Sequence, residues 1–296
     1  MSFKTLQKKI NEKNNPTVMG LDPKLEYIPA YITAGAVKKY GKTPAAAGEA
    51  IFNFNKGLID ACVDLIPAVK PQSAYYEMYG LTGLEALHRT IAYAKSKGLY
   101  VILDAKRGDI GATCEAYSAA YLGETDIFGE KQKMLDIDCL TVNPYLGTDG
   151  IKPFAADCEK YDKAVFVLVK TSNGSSGDFQ DITVEGGGTL YERVARKVLE
   201  WGSPENIGVV VGATYPKQLA DMRKLMPNTF FLVPGFGAQG AVAEDVKPAF
   251  DKNGGGAIVN SSRAIMCAWM ASGDGENFGK WARNEVVKMK EALLTF

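Results

Sequence analysis

The 296-residue sequence contains a single histidine, His88, and only five cysteines, which are scattered along the chain. A Ser-His-Asp triad or a histidine-rich metal site would have to use this one histidine, so both kinds of site are disfavoured. His88 lies in an amphipathic stretch and is expected on a helix face away from the chemistry. The cysteines form no CxxC pair, which predicts buried, unpaired thiols and a reducing compartment, the cytoplasm.

An excess of one charge and long apolar runs are also missing. Lys plus Arg number 34 and Asp plus Glu number 34, so the formal net charge is zero. This balance argues against a general nucleic-acid binder. No segment approaches the roughly 18 apolar residues of a transmembrane helix, so no membrane partner is expected. The N-terminal sequence MSFKTLQKKINEKNNP lacks the apolar core of a signal peptide.

The sequence does contain a repeated alternation of short β-branched runs with helical periodicity. Apolar runs with little polar alternation are typical of parallel strands buried on both faces. We place eight strands, at 17–22, 65–71, 99–104, 138–143, 164–170, 207–212, 229–235 and 256–260. A helical pattern follows each strand, which predicts a single (β/α)8 TIM barrel catalytic domain over residues 1–296. An open doubly wound sheet is the alternative, but no GxGxxG motif follows the first strand.

Charged residues stand where the third of these apolar strands ends. The segment LYVILDAKRGDIGAT contains Asp104, Lys106 and Asp109. Asp104 and Lys106 are two residues apart, so on a strand their side chains point to the same face. Active sites of such barrels lie at the carboxyl ends of the strands. A lysine held beside carboxylates stays protonated, and it therefore suits a general acid better than a Schiff-base nucleophile.

Two neighbouring strand ends extend this pattern. MGLDP places Asp22 after the first strand, and PAVKPQ places Lys70 at the end of the second. Together with Asp104 and Lys106 they predict an array of alternating charge across three adjacent strand ends. An ion pair that only plugs the barrel is the structural alternative. Because removing four charges from water is costly, we interpret the array as a functional site.

The last two strands end in segments suited to an anion. The seventh runs into VPGFGAQGA, where Gly235, Gly237 and Gly240 would let the backbone approach a ligand and expose its N–H groups. The eighth runs into Ser262 and Arg263 at the start of a helix, whose N-terminus favours an anion. Loops after strands 7 and 8 of a barrel commonly bind phosphate. The sequence therefore predicts a phosphate site here.

The segment DAKRGDIGAT, residues 104–113, resembles the Asp-x-Lys-x-x-Asp-Ile-x-x-Thr signature of the orotidine 5'-phosphate decarboxylase family. It is most similar to the bacterial subgroup in which the motif reads DAKRGDI. MGLDP, AVKPQ, TVNPYLG, VPGFGAQG and the late arginine occur in the order of that subgroup, so the resemblance extends from Asp22 to Arg263. It implies a cytoplasmic TIM barrel that converts orotidylate to uridylate and CO2, the last step of de novo UMP biosynthesis, without metal or organic cofactor.

The resemblance also implies roles for individual residues. It makes Lys106, Asp104, Asp109 and Lys70 the catalytic residues. Lys106 would deliver a proton to C6 of the pyrimidine, and Asp104 would lie near the departing carboxylate. Lys70 would also hydrogen-bond a ribose hydroxyl.

Further residues would bind the substrate or complete the site of a partner. The resemblance implies that Asp109 and Thr113 reach into the partner subunit's site, which makes the protein a homodimer with shared active sites. The remaining contacts would be to ribose from Asp22, to the pyrimidine from Ser172, and to the phosphate from Pro234, Gln239, Ser262 and Arg263.

Two alternatives remain open at this point. One is a Mg2+-dependent phosphosugar decarboxylase or aldolase on a related barrel, which carries a similar motif but holds the metal with acidic ligands. The other is a non-catalytic barrel that binds a phosphate ligand. Such a barrel need not keep Lys106 with both aspartates, and this chain keeps all three.

Overall fold

The computed structural model describes residues 2–237 and 240–294. The strands in these ranges are β1 (Thr17–Leu21), β2 (Ala68–Pro71), β3 (Tyr100–Arg107), β4 (Thr125–Ile127), β5 (Glu130–Gln132), β6 (Cys139–Val142), β7 (Ala164–Lys170), β8 (Ile207–Val211), β9 (Phe231–Val233) and β10 (Ala257–Ser261). The α-helices are α1 (Ser2–Lys13), α2 (Ala30–Tyr40), α3 (Pro44–Cys62), α4 (Ala74–Glu77), α5 (Gly80–Ser96), α6 (Gly111–Tyr121), α7 (Lys152–Tyr161), α8 (Gly177–Gln180), α9 (Leu190–Trp201), α10 (Pro216–Leu225), α11 (Ala243–Val246), α12 (Arg263–Met266) and α13 (Phe278–Leu293).

Eight of these strands close into a parallel barrel in the order β1-β10-β9-β8-β7-β6-β3-β2. They are the eight strands predicted from the apolar runs, so the predicted TIM barrel is confirmed and the open sheet is wrong. Their residues are almost all buried, as expected of strands covered on both faces. A polar hairpin of β4 and β5 was not predicted, because its short strands carry no apolar run.

The chain divides into two compact units. One consists of Lys9–Ala105 and the C-terminal segment that begins at Ser261. The other consists of the N-terminal segment up to Lys8 and of Lys106–Asn260.

In the first unit, two helices follow β1 where the sequence pattern predicted one. The predicted helix is α3, which buries a long apolar face. The additional helix, α2, buries only Ala36. A helix with so small a buried face has no apolar stripe for the pattern to reveal.

In the second unit, the N-terminal segment packs its apolar residues although it reads as polar. Phe3 and Leu6, three residues apart on α1, are both buried. The Phe3 ring stacks on that of Phe230 with centroids 5.0 Å apart, and its centroid is 4.9 Å from that of Phe166. These aromatic contacts order the start of the chain.

The connection after β9 is less helical than its sequence pattern indicates. The segment AVAEDVKPAFDKN, residues 241–253, has helical periodicity, but α11 ends at Val246 and a 3-10 turn, Lys247–Ala249, follows it. Pro248 lacks the N–H that would continue the α-helix, and its ring clashes with the preceding turn. The helix is therefore reduced to about one turn.

The tight packing inside the barrel is tested by substitution of Gly208 in β8. A Cβ there would lie 2.6 Å from the Phe230 carbonyl oxygen and 2.7 Å from Cε1 of Phe166. We expect Gly208→Ala to lower the free energy of unfolding by about 1–3 kcal/mol, because buried groups must shift. Gly35 in α2 is the matched control, since nothing lies within 4 Å of its Cβ position. Gly35→Ala should instead raise the free energy of unfolding by up to about 1 kcal/mol. Urea unfolding measures both effects, and equal effects of the two substitutions would contradict tight packing around Gly208.

Candidate active site

Lys70 and Asp104 form a buried ion pair at the ends of two neighbouring strands. Lys70 Nζ is 2.8 Å from Asp104 Oδ2, and the side chains are 5% and 12% exposed. Strands β2 and β3 pair in parallel, with Ala68 opposite Tyr100, and a further bridge joins Gln72 to Asp104. The strand register therefore brings the ammonium and the carboxylate together.

Asp22 adds a second carboxylate on the other side of Lys70. It directly follows β1, which pairs with β2 so that Gly20 lies opposite Lys70. Its Oδ1 is buried and has no hydrogen-bond donor within residues 2–237 and 240–294. A buried carboxylate oxygen without a donor is costly, and a ligand hydroxyl would satisfy it.

The charge state of Lys70 follows from its two acidic neighbours. Burial lowers the pKa of Lys70, but attraction to Asp104 and Asp22 and the hydrogen bond to Asp104 outweigh burial and raise the pKa above 10.5. The ammonium therefore stays charged at neutral pH. The sequence predicted an array of four charges. Three of them alternate in sign across the neighbouring strands: Asp22, Lys70 and Asp104.

A buried polar network holds the end of β1 from which Asp22 projects. The Asn55 amide donates to the Tyr76 hydroxyl at 2.9 Å and to the Thr90 hydroxyl at 3.2 Å. The Tyr76 hydroxyl in turn donates to the Leu21 carbonyl at 3.3 Å. Burial raises the pKa of Tyr76, so its hydroxyl remains a donor. The strand end is thereby tied to α3, α4 and α5.

Lys106 occupies the next-to-last position of β3 with an unusual backbone. Its φ is 50°, in the left-handed region that is costly for a residue with a Cβ. Its N–H donates to the hydroxyl of Thr141 in β6 at 2.9 Å, which holds this bend. The alternation rule that placed Asp104 and Lys106 on one face therefore does not apply at Lys106. The Lys106 side chain is exposed.

Asp109 and Thr113 lie beyond β3 in an accessible segment. Asp109 is half-buried, and its Oδ1 accepts the Ile110 N–H at 2.8 Å. Thr113 is exposed in the first turn of α6. The apolar side chain of Ile110, between them, is 54% exposed.

The glycines of the loop after β9 adopt conformations that other residues take only with strain. Gly235, Gly237 and Gly240 have φ of 109°, 72° and 93°. The Gly237 N–H donates to the Ala241 carbonyl, and the Gly240 N–H donates to the Gly237 carbonyl. The prediction that these two N–H groups are exposed to a ligand is therefore wrong, because they close a tight turn. Gln239 lies outside the described residues.

At the other predicted phosphate segment, Arg263 is exposed and begins α12, which has four residues. The Ser262 carbonyl accepts the N–H groups of Ile265 and Met266, which closes this turn. So short a helix adds few peptide dipoles. Attraction for an anion here depends on the Arg263 side chain rather than on the helix end. Pro234, after β9, accepts the Ala213 N–H at 2.9 Å through its carbonyl.

Ser172 is held between β7 and the end of β8. The Thr214 hydroxyl donates to the Ser172 carbonyl at 3.3 Å. A Cβ on Gly212 would lie 2.9 Å from the Ser172 Cα, so glycine permits this close approach. The segment SNGSSGDFQDITVEGGG, residues 172–188, carries the glycine and serine composition of a loop, and it contains the short helix α8.

Two residues that organise these strand ends were missed in the sequence. Thr141 accepts the Lys106 N–H, and Lys170 pairs with Asp181. Each is a polar residue within an otherwise apolar strand, and that signal could have identified both.

The single histidine and the five cysteines lie as predicted from the sequence. His88 is exposed on α5, the five cysteines form no disulfide, and four of them are buried. Burial raises the pKa of Cys62 to about 12, which makes its thiol unreactive. In the described part of the chain, no cluster of three His, Cys, Asp or Glu residues could hold a metal ion. No helix in that part is long and apolar enough to cross a membrane.

A closed parallel barrel with acidic and basic side chains at the carboxyl ends of its strands defines the class of (β/α)8-barrel enzymes. Within this class, the model of the Orotidine 5'-phosphate decarboxylase / HUMPS family matches residues 54–270, and the chain belongs to that family. The membership indicated by the DAKRGDIGAT segment is therefore confirmed.

Individual relatives match over most of their length. The chain is 45% identical to the orotidine 5'-phosphate decarboxylase of Caldicellulosiruptor bescii, over 88% of this chain and 87% of that protein. It is 42% identical to the protein of the same name from Rhodopirellula baltica, over 99% of both. The solved structure of Leishmania donovani OMP decarboxylase has a TM-score of 0.74 at 31% identity, covering 98% of this chain and 99% of that chain.

The ion pair predicts a specific response to Asp104→Asn. Breaking a buried pair should lower the free energy of unfolding by about 3 kcal/mol at neutral pH. The loss of Asp104 removes two of the causes that raise the Lys70 pKa, whereas the burial that lowers it remains. We expect burial, the largest cause, to outweigh the remaining attraction to Asp22 and to bring the folded-state pKa of Lys70 below its ordinary 10.5. Lys70 would then bind fewer protons folded than unfolded, so the variant should gain stability as the pH rises towards 10.5.

The wild-type protein should behave in the opposite way. Its raised Lys70 pKa contributes stability that is complete below 10.5 and is lost as the pH rises through the raised value. Urea unfolding of both proteins should therefore show a difference that narrows between neutral pH and 10.5. Asp221→Asn removes an exposed pair, at 3.6 Å from Lys224, and serves as the control with little expected effect. A pH-independent difference for Asp104→Asn would contradict the assigned role of Lys70.

Proposed function

We propose that this protein is an orotidine 5'-phosphate decarboxylase that converts orotidylate to uridylate and CO2 in the last step of de novo UMP biosynthesis. We further propose that it acts in the cytoplasm, as one catalytic domain, and belongs to the bacterial subgroup with the DAKRGDI motif. Relatives bearing that name over nearly the whole chain support the activity. The observation that carries the proposal is the alternating array of Asp22, which follows β1, with buried Lys70 and Asp104 on the neighbouring strands β2 and β3, of which β3 continues to Lys106.

The reaction needs a fixed positive charge more than it needs a nucleophile. The bond from C6 to the carboxylate breaks, CO2 leaves, and the electron pair stays on C6 as an unstabilised vinyl carbanion. An ammonium near C6 stabilises that charge as it develops and then transfers a proton to C6. We assign this role to Lys106, whose neutral amine then recovers a proton from solvent. Its exposure is compatible with that return.

The backbone of Lys106 supports the same assignment. A left-handed conformation at a non-glycine residue is retained when the surrounding structure holds it, and such residues cluster at active sites. Here the Thr141 hydroxyl accepts the Lys106 N–H at 2.9 Å. A backbone held in advance reduces the reorganisation needed when charge develops on the substrate.

Asp22 and Lys70 would bind the ribose, and Asp104 would lie near the carboxylate of the substrate. A ribose hydroxyl that donates to Asp22 Oδ1 would satisfy that buried oxygen. The Lys70 ammonium has three N–H groups and directs one at Asp104, so it can also donate to ribose. We place Asp104 near the departing carboxylate. Because Asp104 is already paired with an ammonium at 2.8 Å, this arrangement favours a cofactor-independent reaction over Mg2+ binding.

The phosphate would be held by Arg263, whose planar guanidinium can contact two phosphate oxygens at once. We assign additional contacts to Gln239, to Ser262 and to the segment at Pro234, where the Gly235 backbone supplies the N–H that proline lacks. Binding energy from the phosphate, remote from C6, can be used to close loops over the substrate and orient it. Ser172, in the loop after β7, would contact the pyrimidine.

The proton-donor role predicts that Lys106→Ala abolishes turnover, with a loss of at least about 10^3-fold, while uridylate binding survives. Lys106→Asn is the matched variant, because asparagine tolerates a left-handed backbone better than most residues. The loss should therefore be the same in both variants if the ammonium is responsible. The measurement is the change in absorbance as orotidylate becomes uridylate, with calorimetric titration of uridylate for binding. Substantial residual activity in either variant would exclude Lys106 as the donor.

The same assay separates the proposed activity from its alternatives. Activity on orotidylate that survives an excess of chelator is expected. Activity that requires Mg2+, with turnover of a phosphosugar, would instead identify the metal-dependent alternative. Absence of turnover with any of these substrates would favour a barrel that only binds a phosphate ligand.

We also propose a homodimer in which Asp109 and Thr113 complete the partner's site. The segment from 109 to 113 is accessible, and Ile110 within it is 54% exposed. A Cβ on Gly150 would lie 3.1 Å from the Asp109 carbonyl oxygen and 3.2 Å from Cβ of Leu146, which is itself 47% exposed. Exposed apolar side chains beside Asp109 support burial of this segment against a second copy.

Shared sites can be tested by mixing two inactive variants, Lys106→Ala and Asp109→Ala. A hybrid dimer would contain one site with both substitutions and one site with neither, so activity should reappear as subunits exchange. Each variant mixed with itself is the control. If subunit exchange is demonstrated by mass labelling and no activity returns, Asp109 acts within its own subunit.

A further inference from the structure

Lys170, the last residue of β7, is a buried lysine that the proposed reaction does not use. Its side chain is 0% exposed, and its Nζ lies 2.7 Å from Asp181 Oδ1 and 3.2 Å from the Ser176 hydroxyl. The ammonium is 4.7 Å from the ring centroid of Tyr215 and 5.6 Å from that of Tyr191. Its charge is therefore compensated by a carboxylate, a hydroxyl and two aromatic faces.

Two of these partners belong to the loop that begins with Thr171 and Ser172. Asp181 and Ser176 fold back on the strand end, which makes 171–181 a closed segment. The Gln180 side chain closes it further, because its Oε1 accepts the Thr171 N–H at 2.9 Å and its Nε2 donates to the Thr171 hydroxyl at 2.8 Å. Ser172 lies at the start of this closed segment.

Apolar packing of its larger side chains contributes little to the order of this loop. Its larger apolar side chains, Phe179 and Ile182, are 67% and 48% exposed, so no apolar core holds it. Ordering a loop costs roughly 1–2 kcal/mol of backbone entropy per residue, which other contacts must offset. The ion pair of Lys170 with Asp181 is a charged contact that ties the loop to the end of β7.

The position of Ser172 depends on the same cluster. On one side, Ser172 contacts Gly212 and receives the Thr214 hydroxyl at its carbonyl. On the other side, it continues into the segment that Asp181 and Lys170 hold. Loss of the ion pair would remove one of the contacts that hold the segment next to Ser172, leaving the Gln180 hydrogen bonds to Thr171.

We propose that Lys170 and Asp181 are positioning residues that hold the segment 171–181 so that Ser172 meets the pyrimidine base of the substrate. This proposal rests on the proposed function, because it presumes a pyrimidine nucleotide in the site. It assigns recognition of the base to this loop, separately from the recognition of ribose and phosphate elsewhere in the chain.

The test is Asp181→Asn, with Asp178→Asn as the matched control in the same loop. The Asp181 side chain is 45% exposed, so its replacement leaves the barrel core intact, whereas replacement of buried Lys170 endangers folding. Asp178 is exposed on α8, and its substitution removes the same charge. We expect Asp181→Asn to weaken inhibition by uridylate and to lower kcat/KM for orotidylate by about ten-fold or more. Inhibition by ribose 5-phosphate, which has no base, should be unchanged.

The outcomes separate this inference from the proposed function. If wild-type protein neither binds uridylate nor decarboxylates orotidylate, the proposed function fails. If it does both and Asp181→Asn behaves like Asp178→Asn, the positioning role is overturned while the function stands. Equal losses for uridylate and ribose 5-phosphate would also overturn it, since they would indicate general structural damage. Faster chymotrypsin cleavage at Phe179 together with a loss confined to base-containing ligands supports it.

Discussion

The requirement that a buried charge have a partner of opposite sign constrains the strand ends of this protein. Lys70 and Asp104 are almost wholly removed from water, which costs several kcal/mol per ion unless they meet with good geometry. Their meeting requires the observed pairing of β2 with β3. Asp22 requires the pairing of β1 with β2, and the hydrogen bonds of Asn55 and Tyr76 hold that strand end. Lys70 and Asp104 are thus borne by strands, and Asp22 directly follows one, which suits a preorganised site.

Much of the barrel could be predicted because burial on both faces leaves a direct trace in sequence. Each of the eight strands is an apolar run, and no other element is needed to recognise it. Elements that bury little leave no such trace, as in α2, which buries only Ala36, and in the polar hairpin of β4 and β5. The short α11 shows the opposite error, because apolar periodicity continued through Pro248 although the backbone could not.

The candidate site likewise has features that the sequence predicts and features that it does not reveal. Asp22, Lys70 and Asp104 could be placed because parallel pairing brings the residues at strand ends together. The left-handed backbone of Lys106 could not, since it depends on a hydroxyl supplied by Thr141 from another strand. Nor could the sequence reveal that the N–H groups of Gly237 and Gly240 donate hydrogen bonds to carbonyls of their own loop. Side-chain and loop hydrogen bonds between distant residues are set by tertiary structure, and residue order alone does not reveal them.

The three lysines at strand ends differ in a way that bears on their chemistry. Lys70 and Lys170 are buried, and each is paired with a carboxylate at 2.8 Å or less, an arrangement that holds the ammonium in one position. Lys106 is exposed. A proton donor must lose and regain a proton in every turnover, which solvent access assists. Exposure therefore supports the assignment of proton transfer to Lys106 rather than to the two buried lysines.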